Sequence, residues 1–233
     1  SRKYGVDAWR QDVPDEVSFR FLEHFKKRIR ETNPEAYIIG EIWQKSTAWL
    51  RAGVFDGAMD YPLYFAIRDF AMKRTDGVET FAERIKDVFL SAPDHDIPRP
   101  LTVCGGDTDR LAAALFLQML LGGAVSIYYG DELGMSGGED PANRGAMAWG
   151  EQSDGIKPLY ISMIRFKEEH QGEMNVTEMR VQDGVLRLTF SGGDYMAFIA
   201  EPGGEKCFAV PDGMHLRFGN AQLSRGYALF ERN

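Results

Sequence analysis

Asp12, Glu41, Asp96 and Asp131 each close a run that reads as a strand in this chain. A carboxylate at the end of an apolar strand is held by a rigid element with low-dielectric material beneath it. That setting disfavours the charged form and raises the pKa, as a general acid working near neutrality requires, so Glu41 at the end of AYIIGE is the natural proton donor. Asp12 differs because Arg10 precedes it by two residues, and alternation along a strand puts both side chains on one side. A fixed cation keeps a neighbouring aspartate ionised, so Asp12 suits a nucleophile.

Each residue also has a plainer explanation. An acid at a strand end is often a helix N-cap or a solvated loop residue, and Asp131 fits that description. His95 alone reads as a structural hydrogen-bonding residue, and Trp43 as a core or rim aromatic. Spacing is what joins them. Asp12 to Glu41 is 29 residues and Glu41 to Asp96 is 55, near one and two strand–helix units of about 30 residues each. Loops after the C-terminal ends of parallel strands share one face, so the acids fall on one rim with Arg10, His95 and Trp43 beside them.

The elements that must carry this rim alternate up to about residue 130. YGVDAWRQDV reads as a strand, and Val17, Phe21, Phe25 and Ile29 then recur every four residues, predicting a helix with one buried face. AYIIGEIW is a second strand, STAWLRAG is helical, and FDGAMDYP holds a short strand. Helical stretches from Leu63 lead to SAPDHDIPRP, TDRLAAALFLQMLLGG is a strongly apolar helix, and AVSIYYGDELGM is a strand running into a loop. Five strand–helix units result, all parallel. From about residue 170 alternation and Gly-rich turns predict a small antiparallel β-sandwich, which divides the chain into 1–170 and 171–233.

Composition narrows the function classes. The 233 residues are 44 % hydrophobic and 27 % charged, which is globular. A net charge of −8 and a pI near 5.1, without a dense Lys/Arg cluster, argue against nucleic acid. No apolar run approaches the roughly 20 residues of a membrane span, and SRKYGVDAWR lacks the features of a secretory signal. Cys104 and Cys207 form no metal-ligand pair and read as plain thiols, consistent with a cytoplasmic setting.

At these residues the chain resembles the α-amylase family of glycoside hydrolases (family 13), in the branch of neopullulanases, cyclomaltodextrinases and maltogenic amylases. GVDAWRQDVPDEV, GEIWQKSTAWL and PDHDIPRPLTVCGGD resemble that branch's nucleophile, acid/base and third-carboxylate regions. FDGAMDYP, IYYGDELGMSGGEDPANRGAMAW and GYALF follow in the family's order. Pro14 and Asp15 depart from the family's small apolar residue and Asn, and Gln11, Gln44, Ile97 and Gly145 also differ.

The resemblance implies a retaining α-glucan hydrolase acting on α-1,4 glucosidic bonds, with α-1,6 bonds left open. Asp12 would be the nucleophile, Glu41 the acid/base and Asp96 the third carboxylate, with Asp12 and Glu41 about 5 to 5.5 Å apart. Arg10 would orient Asp12, and His95 would bind sugar hydroxyls. Trp43, Asp140 and Arg144 would bind substrate, and Glu16 would lie on the acceptor side. An α-glucan or maltooligosaccharide is the implied partner, with no cofactor; calcium and a homodimer stay open for the complete enzyme. The family's order places Ser1 at the fourth strand of a (β/α)8 barrel, so the chain is expected to be the C-terminal part, about strands 4–8, of a larger enzyme. Two other readings compete: a non-catalytic barrel piece that binds glucan, and metal-assisted hydrolysis through Asp12, Glu41, His95 and Asp96.

Overall fold

The computed structural model describes residues 3–86, 96–121, 123–150, 155–170, 174–201, 206, 209–220, 222–223 and 225–233. A parallel sheet opens it: β1 (Ala8–Gln11), β2 (Tyr37–Ile42) and β3 (Gly57–Asp60), in the order β1-β2-β3. Arg10 pairs with Ile39 across β1 and β2, and Glu41 with Met59 across β2 and β3. The central strand β2 is the apolar one, with Ile38 and Ile42 fully buried. Gly40 lets the strand pass close to Phe55, because an added Cβ would lie 2.7 Å from that ring and something would have to shift.

Between these strands run α1 (Phe19–Arg30) and α2 (Thr47–Arg51). Ser18 caps α1 by accepting the Phe21 amide at 3.4 Å. Leu22 is the residue of α1 that is fully buried, against Ile38, Ile42, Val54, Phe55 and Ala58, while Val17, Phe25 and Ile29 pack at the edge. Phe21, expected on the buried face, is 54 % exposed and stacks on Phe25 instead. A strict four-residue repeat drifts around a helix of about 3.6 residues per turn, and Leu22 lies nearer the centre of the stripe. Asp56, just before β3, locks α1 to the sheet through Lys26 and Arg30, both at 2.7 Å, and through the Ile38 amide.

Beyond β3, Asp60 caps α3 (Tyr61–Ile67) by accepting the Leu63 amide. Then come α4 (Val78–Ile85), α5 (Pro100–Val103), α6 (Thr108–Leu121) and α7 (Ile156–Glu169). Residues 111–117 of α6 are all buried, as for a helix enclosed between layers. The second sheet is antiparallel: β4 (Val176–Gln182), β5 (Val185–Phe190), β6 (Tyr195–Ile199), β7 (Met214–Gly219) and β8 (Tyr227–Arg232), in the order β4-β5-β6-β8-β7. One continuous core joins it to the helices. Phe116 stacks on Tyr227 at 4.3 Å, and Phe166 meets Tyr195 edge-on.

Two expectations are corrected. The described residues hold three parallel strands rather than five. Residues 125–128 belong to neither sheet: Val125 and Ile127 pack against the core, but an extended segment becomes a strand only through a ladder, and no described segment supplies one. The expected strand before Asp96 falls in residues 87–95, outside the described residues. The expected β-sandwich is, among the described residues, one five-stranded sheet. Its alternating side chains Leu186, Leu188 and Phe190 are covered by helices where a second sheet was expected. No helix among the described residues is long and apolar enough to cross a membrane.

Candidate active site

Arg10 near the end of β1 and Glu41 near the end of β2 occupy adjacent parallel strands, so their side chains meet above the sheet. The guanidinium reaches Asp12 through Nη1 at 2.7 Å and Glu41 through Nη2 at 2.6 Å. Its Nε lies 3.4 Å from Sδ of Met59 on β3, so this one side chain crosses the sheet. The two acids differ sharply in solvation: the side chain of Asp12 is 73 % exposed and that of Glu41 is 2 % exposed.

Glu41 has further donors. The Tyr61 hydroxyl, at the start of α3, lies 3.3 Å from Oε1, and the Val13 amide lies 3.4 Å from Oε2. Val13 adopts φ 36° and ψ 55°, a left-handed conformation rare for a β-branched residue, with Pro14 next in the chain. Such a conformation costs on the order of 1–3 kcal/mol and persists only where its surroundings hold it. Trp43, just past β2, stacks on Tyr61 at 4.0 Å and 13° and is 39 % exposed. Glu16 is exposed on the 3-10 turn of residues 14–16.

A second constellation holds the third acid. Arg144 reaches Asp96 at 2.8 Å and Asp140 at 3.2 Å. His95 lies outside the described residues. Among the described residues no three His, Cys, Asp or Glu side chains are grouped as a metal ion would need.

Asp131 proves to be neither a rim acid nor a helix cap. It is 4 % exposed and ion-paired at 3.0 Å with Arg99, itself 1 % exposed. Burial pushes its carboxyl up to about 6, with Arg99 pulling the other way.

Tyr61, Met59, Arg99 and Asn143 join these constellations without standing out in the sequence pattern. Tyr61 carried a signal, since it directly follows the strand end in AMDYP. Arg99 carried none, because its carboxylate partner is 32 residues away.

A profile described as "Alpha amylase, catalytic domain" matches residues 3–187. The cyclomaltodextrinase of Geobacillus thermopakistaniensis (strain MAS1) is 38 % identical over 211 residues, covering 83 % of this chain and 36 % of that protein. The maltogenic alpha-amylase of Bacillus acidopullulyticus is 39 % identical over 210 residues, covering 82 % and 36 %. The chain thus spans 36 % of the length of these curated relatives. Among solved structures, Ttha1563 from Thermus thermophilus superposes with a TM-score of 0.81 at 29 % identity, covering 98 % of this chain and 59 % of that one.

Proposed function

We propose, from the premise that this chain belongs to the alpha-amylase family, that it carries the cleavage chemistry of a retaining α-glucan hydrolase. The observation that carries this reading is the Arg10 guanidinium bonded at once to Asp12 and Glu41. Two carboxyl groups tied to one cation support a pair that works on one glycosidic bond. Solvation divides their roles. The exposed Asp12 carboxylate attacks the anomeric carbon while Glu41 gives its proton to the glycosidic oxygen; the C–O bond breaks and a glycosyl ester forms on Asp12. Glu41 then takes a proton from water, the water attacks the same carbon from the other face, and Asp12 leaves. Two inversions amount to retention. As the general acid, Glu41 carries the proton it gives up when the sugar arrives.

Asp96, Arg144 and Asp140 fit the binding of sugar hydroxyls beside the cleaved bond. Trp43 offers an indole face braced by Tyr61, a platform for a sugar ring. Glu16 would face an acceptor. The relatives' names point to maltodextrins and cyclodextrins, with α-1,4 and α-1,6 bonds both candidates, and the name of a third relative, an intracellular maltogenic amylase, favours the cytoplasm as the setting. The test is the anomeric form of the first product from maltotriose or a cyclodextrin, read by proton NMR. The α-anomer is expected; a β-anomer, or no cleavage, overturns the proposal.

One observation favours a second reading, binding without cleavage. An Asp12 exposed at 73 % lacks the closed surroundings in which nucleophiles usually act. Glucan affinity without turnover would support it.

A further inference from the structure

Arg99 is among the largest fully buried side chains of the protein, and the chemistry proposed above does not use it. A charge taken out of water persists only when its surroundings repay the desolvation, so what it bonds to is informative. Its Nε donates to the Asn143 carbonyl at 2.9 Å. Its Nη1 donates to the Tyr129 carbonyl and to Asp131 at 3.0 Å. The guanidinium lies 4.3 Å from the ring centre of Tyr128 and 4.7 Å from that of Tyr129. Its own backbone amide donates to the Gly137 carbonyl at 3.0 Å.

Together these bonds join three segments that carry no regular sheet pairing: 96–99, 128–131 and 137–145. The strapping is reciprocal, since the Asn143 amide donates to the Ile97 carbonyl at 3.0 Å and the Tyr129 hydroxyl to the Gly145 carbonyl at 2.7 Å. Asp96 lies three residues before Arg99, and Arg144 directly follows Asn143. The 2.8 Å contact between Asp96 and Arg144 thus joins two segments that Arg99 and Asn143 also tie together.

We infer that Arg99 is a positioning residue: by bonding the Asn143 and Tyr129 carbonyls and Asp131, it fixes Arg144 and Asp140 relative to Asp96 and so shapes the glucan-binding side of the cleft. This deepens the proposed function and rests on it for the ligand class. Lysine cannot replace Arg99, because a single ammonium lacks the planar fork that serves several acceptors at once.

The test is Arg99→Lys in the 233-residue chain, with two readouts. Hydrogen–deuterium exchange should rise in residues 137–145 while the amides of residues 37–42 keep their protection. Glucan affinity for maltotriose, by calorimetry, should fall about ten-fold, the scale of one ligand hydrogen bond lost. In an Arg144→Ala background Arg99→Lys should cost little further affinity, a coupling that general destabilisation would not produce. Tyr129→Phe, which removes one strap and no buried charge, should weaken binding in the same direction and serves alone if Arg99→Lys does not fold. Unchanged exchange at 137–145 overturns the inference, as do additive losses with Arg144→Ala or unchanged affinity in Tyr129→Phe. A parent chain that neither binds nor cleaves glucan, with exchange responding as expected, would instead remove the catalytic proposal and leave Arg99 as the hub of these loops.

Discussion

The Nη2 of Arg10 lies 2.6 Å from the carboxylate of Glu41, an acid with 2 % of its side chain exposed, while Nη1 of the same guanidinium holds the solvated Asp12. A cation expected to orient one acid is shared between two. Replacing it with the apolar Arg10→Met leaves Glu41 the Tyr61 and Val13 donors but takes away the charge of Arg10. Urea unfolding should show a loss of about 1–3 kcal/mol at neutral pH, and a smaller loss when Glu41→Gln is already present. An undiminished loss in the Glu41→Gln background would mean that packing, not the contact with Glu41, is what Arg10 supplies.

Trp43 and Tyr61 form one stack but do different work. Trp43→Ala removes the platform and should weaken maltotriose binding about ten-fold, or about 1.4 kcal/mol. Tyr61→Phe keeps the ring beneath the indole and removes only the hydroxyl 3.3 Å from Glu41. It should lower kcat and move the pH profile of cleavage with little change in affinity. Equal effects of the two variants on affinity and kcat would contradict this division.

Asp131 gives a pH dependence with a definite sign. Its folded-state pKa of about 6 lies above the ordinary 3.8, so its contribution to stability is fully present below 3.8 and is lost as pH rises through about 6. Asp131→Asn does not titrate. Between pH 4 and pH 7 the stability difference should therefore move in the variant's favour by roughly 1–3 kcal/mol. Asp56 titrates in the opposite sense: burial would raise its pKa, but Lys26, the Ile38 amide and Arg30 pull it below 3.8, so its contribution is lost as acid protonates it. It acts equally in both proteins and cancels. A difference moving towards the parent would show that the Arg99 pair outweighs burial.

Gly40 precedes the proposed acid and lies under Phe55. Gly40→Ala places a methyl group 2.7 Å from a ring held in the core and should destabilise the fold by about 1–3 kcal/mol by thermal unfolding. It should also lower turnover, because the strand that aims Glu41 must shift. A stable, fully active variant would mean that Phe55 moves aside freely.

The part of the site nearest the parallel sheet was legible because strands impose strict alternation. The contact of Arg10 on β1 with Asp12 just past its end, and the place of Glu41 one strand over, follow from period two and the spacing of strand–helix units. The apolar length of α6 was equally plain. What escaped depended on distant partners. Residues 125–128 have the apolar content of a strand, but pairing decides strand formation, and composition does not encode the neighbour. Asp131 read as a loop acid because its burial depends on Arg99, and Phe21 read as core because a four-residue repeat only approximates the helical turn. The left-handed Val13 was hidden as well, since neither valine nor a following proline favours that conformation.

The most direct test of the central claim is to trap the covalent state. A fluorinated α-glucosyl fluoride forms the glycosyl ester readily and hydrolyses it slowly, so digestion and mass spectrometry locate the modified residue. The account predicts one added glycosyl group on the peptide containing Asp12, absent in Asp12→Asn. An adduct on any other side chain, or full turnover by Asp12→Asn, would contradict it.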